Sequence, residues 1–356
     1  MDFKRIGVLT SGGDAPGMNA VIRAVVHAAN EGGVETFGIY EGYQGLMDGN
    51  LKKITNTDVA NIVGLSGTVL YTARALEFKE ESGMQKAIAT CKKFGIDGIV
   101  AIGGDGTFRG ANDLTAHGIP TIGITGTIDN DITATDYTIG FDTAMNTVVE
   151  CVEKLRDTSE SHARCAVVEV MGRGAGYIAL QAGIALGACG VAIPEVPFNE
   201  EDLIENMMAE RAQGQRSFLV LVSEAVVDEQ GNKIGVDLAK RIQSRTGIEC
   251  KFSRPAHIIR GGAPSVRDRI NAAKMAEVGV DLLLNGVSNH VICKRNGAII
   301  PVEINYALTL DAMYKNRLKP GALDKYSREQ IKEMEDFVEM RRSEIRALYS
   351  TFRKMS

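Results

Sequence analysis

Short apolar runs that stop at glycine or a polar turn alternate along this chain with stretches of helical period. Arg5–Thr10, Val34–Tyr40, Ile99–Ile102, Thr121–Ile124, Arg164–Met171, Gly190–Ile193 and Ser217–Glu224 read as strands, and the apolar ones suit burial on both faces. Between them, Val21, Ile22, Val25 and Val26 mark the apolar face of a helix that follows Pro16. Phe141, Met145, Val148, Val149, Val152 and Leu155 mark a longer one. Tyr177–Ala188 reads as a small-residue helix, Asp228–Lys233 as a turn, and Val266–Asn285 as a helix returning to the first half. Ser327 and Gln330 form a capping-box pattern that opens a long terminal helix. Its apolar positions Ile331, Val338, Ile345 and Phe352 recur every seven residues, with Arg341 and Arg342 interrupting the stripe. Strand and helix alternating on this scale predict an α/β fold of two doubly wound parallel-sheet lobes. The two repeats of the pattern, 1–140 and 141–257, predict a cleft between the lobes.

Composition narrows the function classes. The 356 residues suffice for one large or two medium domains with a sizeable core. A formal net charge of −5 argues against a general nucleic-acid surface. The six cysteines are scattered without a CxxC pair, which suits core thiols in a reducing compartment. No apolar run approaches the ~20 residues a membrane span needs, and no signal-peptide pattern precedes the first strand. A cytoplasmic protein with neither membrane nor nucleic-acid partner is expected.

The chemistry gathers at two neighbouring run ends. Ile99–Ile102 stops at Gly103-Gly104-Asp105-Gly106-Thr107, and Thr121–Ile124 stops at Thr125-Gly126-Thr127-Ile128-Asp129-Asn130-Asp131. Ligands of open α/β sheets bind at the carboxyl ends of strands. A glycine turn leading into a helix lets backbone N–H groups approach a phosphate, and Asp105 suits the magnesium ion that accompanies a polyphosphate. Asp129 and Asp131 are candidates for a base and its neighbour, since two close carboxylates push one pKa upward. Phosphoryl transfer is the reading, with a polar Asx turn the plainer alternative for TIDND. Ser11–Asn19 (SGGDAPGMN) repeats strand, glycine turn and helix; a second phosphate cradle and a plain tight connection fit it equally. No Rossmann GxGxxG fits and no Walker GK[ST] occurs.

GGDGT together with GTIDND resembles the bacterial 6-phosphofructokinases, and TSGGDAPGMN, MGRGAGY and HIIRGG extend the likeness over nearly all of Arg5–Tyr306. The resemblance implies transfer of the ATP γ-phosphoryl group to the 1-hydroxyl of fructose 6-phosphate in glycolysis, with Mg2+. It implies a nucleotide-binding lobe of 1–140 plus 259–309 and a sugar-phosphate-binding lobe of 141–258 plus 310–356. Nucleotide contacts would come from Gly13, Arg74, Ala75, Gly104, Asp105, Gly106, Thr107 and Gly110, with Asp105 also the metal ligand. Two flanking basic positions of the family stand here as Lys79 and Met84. Asp129 would be the base, with Thr127, Arg173, Arg74 and Gly106 serving the transferred group.

The sugar and its phosphate would meet Thr127, Ile128, Asp129, Asp131, Met171, Gly172, Arg173 and Glu224, together with Arg164, Lys251, His257 and Arg260. Arg164 and Lys251 would reach across from a neighbouring subunit, implying a homo-oligomer, a tetramer of dihedral symmetry. Lysine at 251, where the family has arginine, loses bidentate geometry. Pyrophosphate-dependent relatives have aspartate and lysine where this chain has Gly106 and Gly126, so ATP is the expected donor and pyrophosphate the alternative. MGRGAGY, however, is nearer the pyrophosphate group's version. A non-catalytic nucleotide-sensing module on the same fold is a further alternative, and Asp129 speaks against it. An effector pocket would keep Arg23 and Arg156 but has His27, Asn56, Gln213 and Gln215 at cationic positions and Cys189 in place of a glutamate.

Overall fold

In the computed structural model, which describes residues 3–356, the chain forms two compact units. The first takes the chain up to Ile128, with Ile132–Thr143 and Arg260–Val338; the second takes Asp129–Asp131, Ala144–Ile259 and Glu339–Ser356. The strands are β1 (Arg5–Ser11), β2 (Glu35–Ile39), β3 (Leu51–Ile54), β4 (Gly98–Gly103), β5 (Thr121–Thr125), β6 (Cys165–Val170), β7 (Gly190–Ala192), β8 (Phe218–Ser223), β9 (Cys250–Ser253), β10 (His290–Arg295) and β11 (Ala298–Glu303).

The first unit holds a seven-stranded sheet in the order β11-β10-β5-β4-β1-β2-β3. Its inner strands run parallel, and only the edge strands β3 and β11 are antiparallel to their neighbours. From β1 the chain first builds outward to β2 and β3, then adds β4 and β5 on β1's other side. The strand order therefore reverses at the β1/β4 boundary. Residues Ile99–Ile102 of β4 are fully buried, as a parallel strand covered on both faces must be. Helices Met18–Glu31 and Val266–Leu284 pack on one another. Phe108, Ala111 and Leu114 of helix Asp105–Ala116 join Tyr43, Phe78 and Leu310 in a separate apolar core.

One buried carboxylate pins the chain that follows β5. Asp268, fully buried, accepts hydrogen bonds from the Gly140 N–H (2.8 Å), the Thr143 N–H (3.0 Å) and the hydroxyls of Tyr137 and Thr143. Burial pushes this carboxyl above its usual range, and those bonds offset part of the rise. Downstream of β5, the Thr127 N–H donates to Ile139 O (3.0 Å) and the Thr138 hydroxyl to Thr127 O (2.7 Å). Residues 126–143 are thereby a fixed structure and not a loose loop.

The second unit carries an all-parallel sheet in the order β7-β8-β6-β9. Helices Tyr177–Leu186, Glu200–Ala212 and Gly235–Thr246 belong to it, with Leu203, Met207, Leu238 and Ile242 in its core. The expected strands and helices recur with ends shifted by a residue or two. The sequence reading missed β3, β9 and the β10–β11 hairpin. The hairpin had a signal: Asn296-Gly297, with φ of 49° and 81°, is the two-residue turn that such pairs favour.

The terminal helix spans Arg328–Arg353, and its capping box is reciprocal. The Ser327 N–H donates to Gln330 Oε1 (2.9 Å) and the Gln330 N–H to Ser327 Oγ (3.2 Å). The assignment of all of 310–356 to the second lobe needs correction. Residues to Val338 belong to the first unit, where Leu310, Met334 and Val338 are buried in its core. The remainder joins the second unit through Tyr349, whose hydroxyl donates to Val191 O, and Arg353, paired with Asp202 at 2.9 Å.

Candidate functional site

The two glycine turns meet where the strand order reverses. Register pairs Ser11 with Gly103, so β1 and β4 end side by side. The buried Thr107 hydroxyl then donates to Ser11 O (3.0 Å), and the Gly126 N–H donates to Gly103 O (2.9 Å), which adds the end of β5. Gly103 must be glycine, because a Cβ there would lie 2.4 Å from Ser11 O. Gly104 and Gly106 are the opposite case, since a Cβ at either would meet nothing within 4 Å. Their backbone lines open space at the N-terminus of helix Asp105–Ala116, the arrangement that receives an anion. Asp105 opens that helix, nearly buried, and takes a hydrogen bond from Arg109 at 2.8 Å.

Segment 65–74 is laid over the first turn. The Asn19 side chain donates to Leu65 O and Ser66 O and accepts from the Val69 N–H, while the Thr72 hydroxyl donates to Gly12 O (2.8 Å). These bonds hold the exposed Arg74 two residues beyond the Gly12 contact. Ala75 packs against the core. Arg260 comes to the same turn: a Cβ on Gly13 would lie 2.7 Å from its Nη1, which donates to Asp14 O (3.2 Å).

Other glycines of the site pack against side chains. At Gly110 a Cβ would strike Tyr43 at 2.6 Å, next to the stacked Tyr43–Phe78 pair. Gly126 does not line open space either, for its Cβ position lies 3.1 Å from Ile102 and 3.3 Å from Met18. Met84 is a core residue. Arg260 belongs to the first unit, and Arg164, Lys251 and His257 to the second.

At the carboxyl ends of β6 and β8, side chains replace backbone. Asp129 and Asp131 are nearly buried, with Asn130 between them in the left-handed region at φ 50°. Arg173 Nη1 stands 4.0 Å from Asp131 Oδ2. Glu224, one residue past β8, accepts from the N–H groups of Gly172 (3.2 Å) and Arg173 (3.0 Å) through Oε1. That grip holds the turn after Met171, with Arg173 at φ 56°. Thr127 and Ile128 are buried and belong to the first unit.

Arg164 and Lys251 lie at the other end of this sheet. Register pairs Cys165 with Cys250, so both residues stand at the amino ends of β6 and β9. Glu249 serves both, with Arg164 Nε 2.7 Å from one oxygen and Lys251 Nζ 2.8 Å from the other. The Arg164 bond foremost, then Lys251, lowers the Glu249 carboxyl to about 2. A strand rises about 3.3 Å per residue, and β6 has six residues. Roughly 20 Å thus separates this pair from Glu224 and Arg173. The sequence reading did not anticipate Glu249. His257 is exposed.

The residues that the resemblance assigns to an effector pocket are divided between the units. In the first unit Arg23 Nε, His27 Nε2 and Asn56 Oδ1 are buried without hydrogen-bond partners. Burial, then Arg23, lowers the His27 pKa. In the second unit Cys189, Gln213 and Gln215 line a cavity of about 370 Å³, and Arg156 donates to Leu186 O beside a neighbouring one.

Among the described residues no helix is long and apolar enough to cross a membrane. The family model described as Phosphofructokinase matches residues 5–283. The ATP-dependent 6-phosphofructokinase of Clostridium novyi is 47% identical over 316 residues, covering 89% of this chain and 97% of that protein. The Bacillus subtilis enzyme of the same name is 47% identical over 302 residues, covering 85% and 93%. Among solved structures, phosphofructokinase from Saccharomyces cerevisiae superposes with a TM-score of 0.83 at 33% identity. That match covers 94% of this chain, which spans 50% of the yeast chain. A pyrophosphate-dependent phosphofructokinase from Marinobacter aquaeolei, 20% identical with a TM-score of 0.75 over 85% of this chain and 83% of that one, shares the fold. With turns that meet at the strand-order reversal and relatives matched along nearly their whole length, this chain belongs to the phosphofructokinase family.

Proposed function

We propose that this protein is an ATP-dependent 6-phosphofructokinase, transferring the γ-phosphoryl group of ATP to the 1-hydroxyl of fructose 6-phosphate. The observation that carries the reading is the joining of the two glycine turns by Thr107, with open space at Gly104 and Gly106. Backbone N–H groups there, with Gly13, Arg74 and Thr107, hold the polyphosphate. An aspartate at Gly106 would enter that space and repel it, which favours ATP over pyrophosphate. Gly126 does not serve this argument, since its Cβ position lies against Ile102 and Met18 and not in open space.

Asp105 fits the magnesium ion such a reaction uses. Mg2+ binds through one or two carboxylates plus substrate phosphates and waters, and no group of three acids, histidines or cysteines forms a cage among the described residues. When bound, the ion neutralises charge on the phosphates. Asp129 takes the proton of the 1-hydroxyl as its oxygen bonds to the γ-phosphorus and the bond from that phosphorus to the leaving ADP oxygen breaks. Thr127, Arg74 and Arg173 steady the transferring group. Glu224, with Met171, Gly172, Ile128 and Asp131, holds the sugar, and His257 and Arg260 meet its phosphate. The reaction is a step of glycolysis, and we place the protein in the cytoplasm.

Arg164 and Lys251 complete that phosphate pocket in a neighbouring copy, in a homo-oligomer that we take to be a tetramer. The ~20 Å between them and Glu224 exceeds the span of a hexose phosphate and supports sharing between chains. The deciding assay gives purified protein fructose 6-phosphate and magnesium with either ATP or pyrophosphate; faster turnover with pyrophosphate overturns the donor. For sharing, inactive R164A is mixed with inactive D129N. Partial recovery after verified subunit exchange is expected, and no recovery overturns it.

A further inference from the structure

The segment Asp228–Lys233, which reads from the sequence as a turn, delivers a lysine to the candidate sugar site. Its backbone is tied with unusual thoroughness. The Asp228 N–H donates to Asn232 O (2.9 Å) and the Gly231 N–H to Asp228 O (3.0 Å). The Asp228 carboxylate accepts from the N–H groups of Gln230 (3.0 Å) and Asn232 (2.8 Å). Val227 and Lys233 pair as an antiparallel bridge across it. Helix Gly235–Thr246 begins two residues later, so Lys233 is held from both sides.

Lys233 Nζ stands 3.2 Å from Glu169 Oε1 and 3.2 Å from Glu224 Oε2. Glu169 is a buried carboxylate on the otherwise apolar strand β6, and its burial calls for a compensating cation. Arg254 answers most of that need, with Nε 2.8 Å from Oε1 and Nη2 3.1 Å from Oε2. Lys233 therefore has a second purpose beside neutralising Glu169. It occupies the oxygen of Glu224 that Gly172 and Arg173 do not, and it keeps two carboxylates from repelling one another.

We propose that Lys233, carried by the Asp228–Asn232 turn, is a positioning residue that sets the Glu224 carboxylate, and through it the Gly172–Arg173 turn, for recognition of the sugar hydroxyls. The inference rests on the reading of Glu224 as a sugar ligand. Without the lysine, Glu224 would lose its cation while keeping Glu169 as a neighbour. Its carboxylate would then turn toward solvent and release the grip on the turn.

The test compares K233M, K233R, D228A and E224Q with wild type in fructose 6-phosphate and ATP saturation curves, alongside thermal melts. K233M should raise the KM for fructose 6-phosphate about tenfold, with kcat within about twofold and the KM for ATP unchanged. K233R should recover most of the loss. D228A, which unties the turn without touching either carboxylate, should give about threefold in the same direction. If E224Q raises that KM while K233M and D228A leave it unchanged, Lys233 is no positioning residue and the Glu224 reading stands. If E224Q has no effect on the sugar KM, the Glu224 reading itself falls. A K233M protein whose melting temperature drops and whose two KM values rise together, or a K233M that does not fold with a D228A of normal sugar KM, would make Lys233 merely structural and overturn the inference.

Discussion

The carboxyl ends of the two sheets are built from different materials. In the first, glycine turns after β1 and β4 present backbone N–H groups, and hydroxyls tie the turns together. In the second, the grip comes from side chains: Glu224 on two N–H groups, Lys233 between two carboxylates, Arg254 on Glu169. A backbone cradle is intolerant of any added atom, because its function is close approach. A side-chain cluster tolerates exchange of like for like, because charge and reach can be supplied by a neighbour. The comparison predicts steep losses on one side and graded ones on the other, apart from the group that handles the proton.

The largest effect is expected at that group. D129N should lower kcat roughly 10³-fold or more with a much smaller change in KM, since the proton is accepted mainly in the transition state. Near-normal turnover of the purified variant would remove Asp129 from the role. Next, G106D should cut kcat/KM for ATP by roughly two orders of magnitude, through loss and reversal of charge-assisted phosphate contacts. Its melting temperature should hardly move, because a Cβ at 106 meets open space. At Gly126 the order inverts. G126A should shift the melting temperature more than G106D does, because its Cβ presses on Ile102 and Met18, with a smaller effect on ATP. If G106D unfolds the protein while G126A spares it, the assignment of open and packed glycines is wrong.

A graded effect is expected from Glu249, the internal counter-ion of Arg164 and Lys251. E249Q should lower the KM for fructose 6-phosphate several-fold, because the substrate phosphate no longer competes with a carboxylate for those cations. Arg164 and Lys251 hold the Glu249 pKa down at about 2, so its ion pairs are intact above the ordinary carboxylate range and are lost only as pH falls toward 2. The E249Q advantage should therefore be equal at pH 7.5 and pH 9, where the sugar phosphate is a dianion throughout. A dependence on pH across that range would assign the competition to another group.

The smallest effect is expected from effectors. With Gln213, Gln215 and Cys189 at the cavity of the second unit, and His27 and Asn56 in the first, several charge-assisted bonds to a nucleotide diphosphate or phosphoenolpyruvate are missing. Each such bond is worth roughly 1.5–3 kcal/mol. Fructose 6-phosphate saturation curves with and without millimolar effector should nearly superimpose. A large shift that disappears in R156A would show the pocket at work.

The first sheet's site was legible because backbone chemistry writes itself into composition. Glycine where a turn must admit a phosphate, threonine where a hydroxyl must tie it, and aspartate at a helix start are local requirements at fixed spacing. Gly104, Asp105, Gly106 and Thr107 could be found by eye for that reason. Gly110 and Gly126 looked the same on paper. Only the packing of Tyr43, Ile102 and Met18 against them separates a glycine that faces open space from one set against side chains. Asp268 was invisible for the related reason that its partners Tyr137, Gly140 and Thr143 lie more than a hundred residues away in the chain.

By itself the sequence determined the alternation of strand and helix, the glycine turns with their carboxylates, the capping box at Ser327 and the family. These depend on residues within a few positions of one another, where backbone sterics and hydrogen-bond reach decide. Tertiary structure alone decided that β1 and β4 end side by side at the reversal of strand order, and that Arg164 and Glu224 stand at opposite ends of one sheet. It also decided that Glu249 holds two cations and that Lys233 bridges Glu169 and Glu224. Parallel register sets the first three and the hydrogen-bonded Asp228–Asn232 turn the last, and both are contacts between segments that chain separation does not reveal.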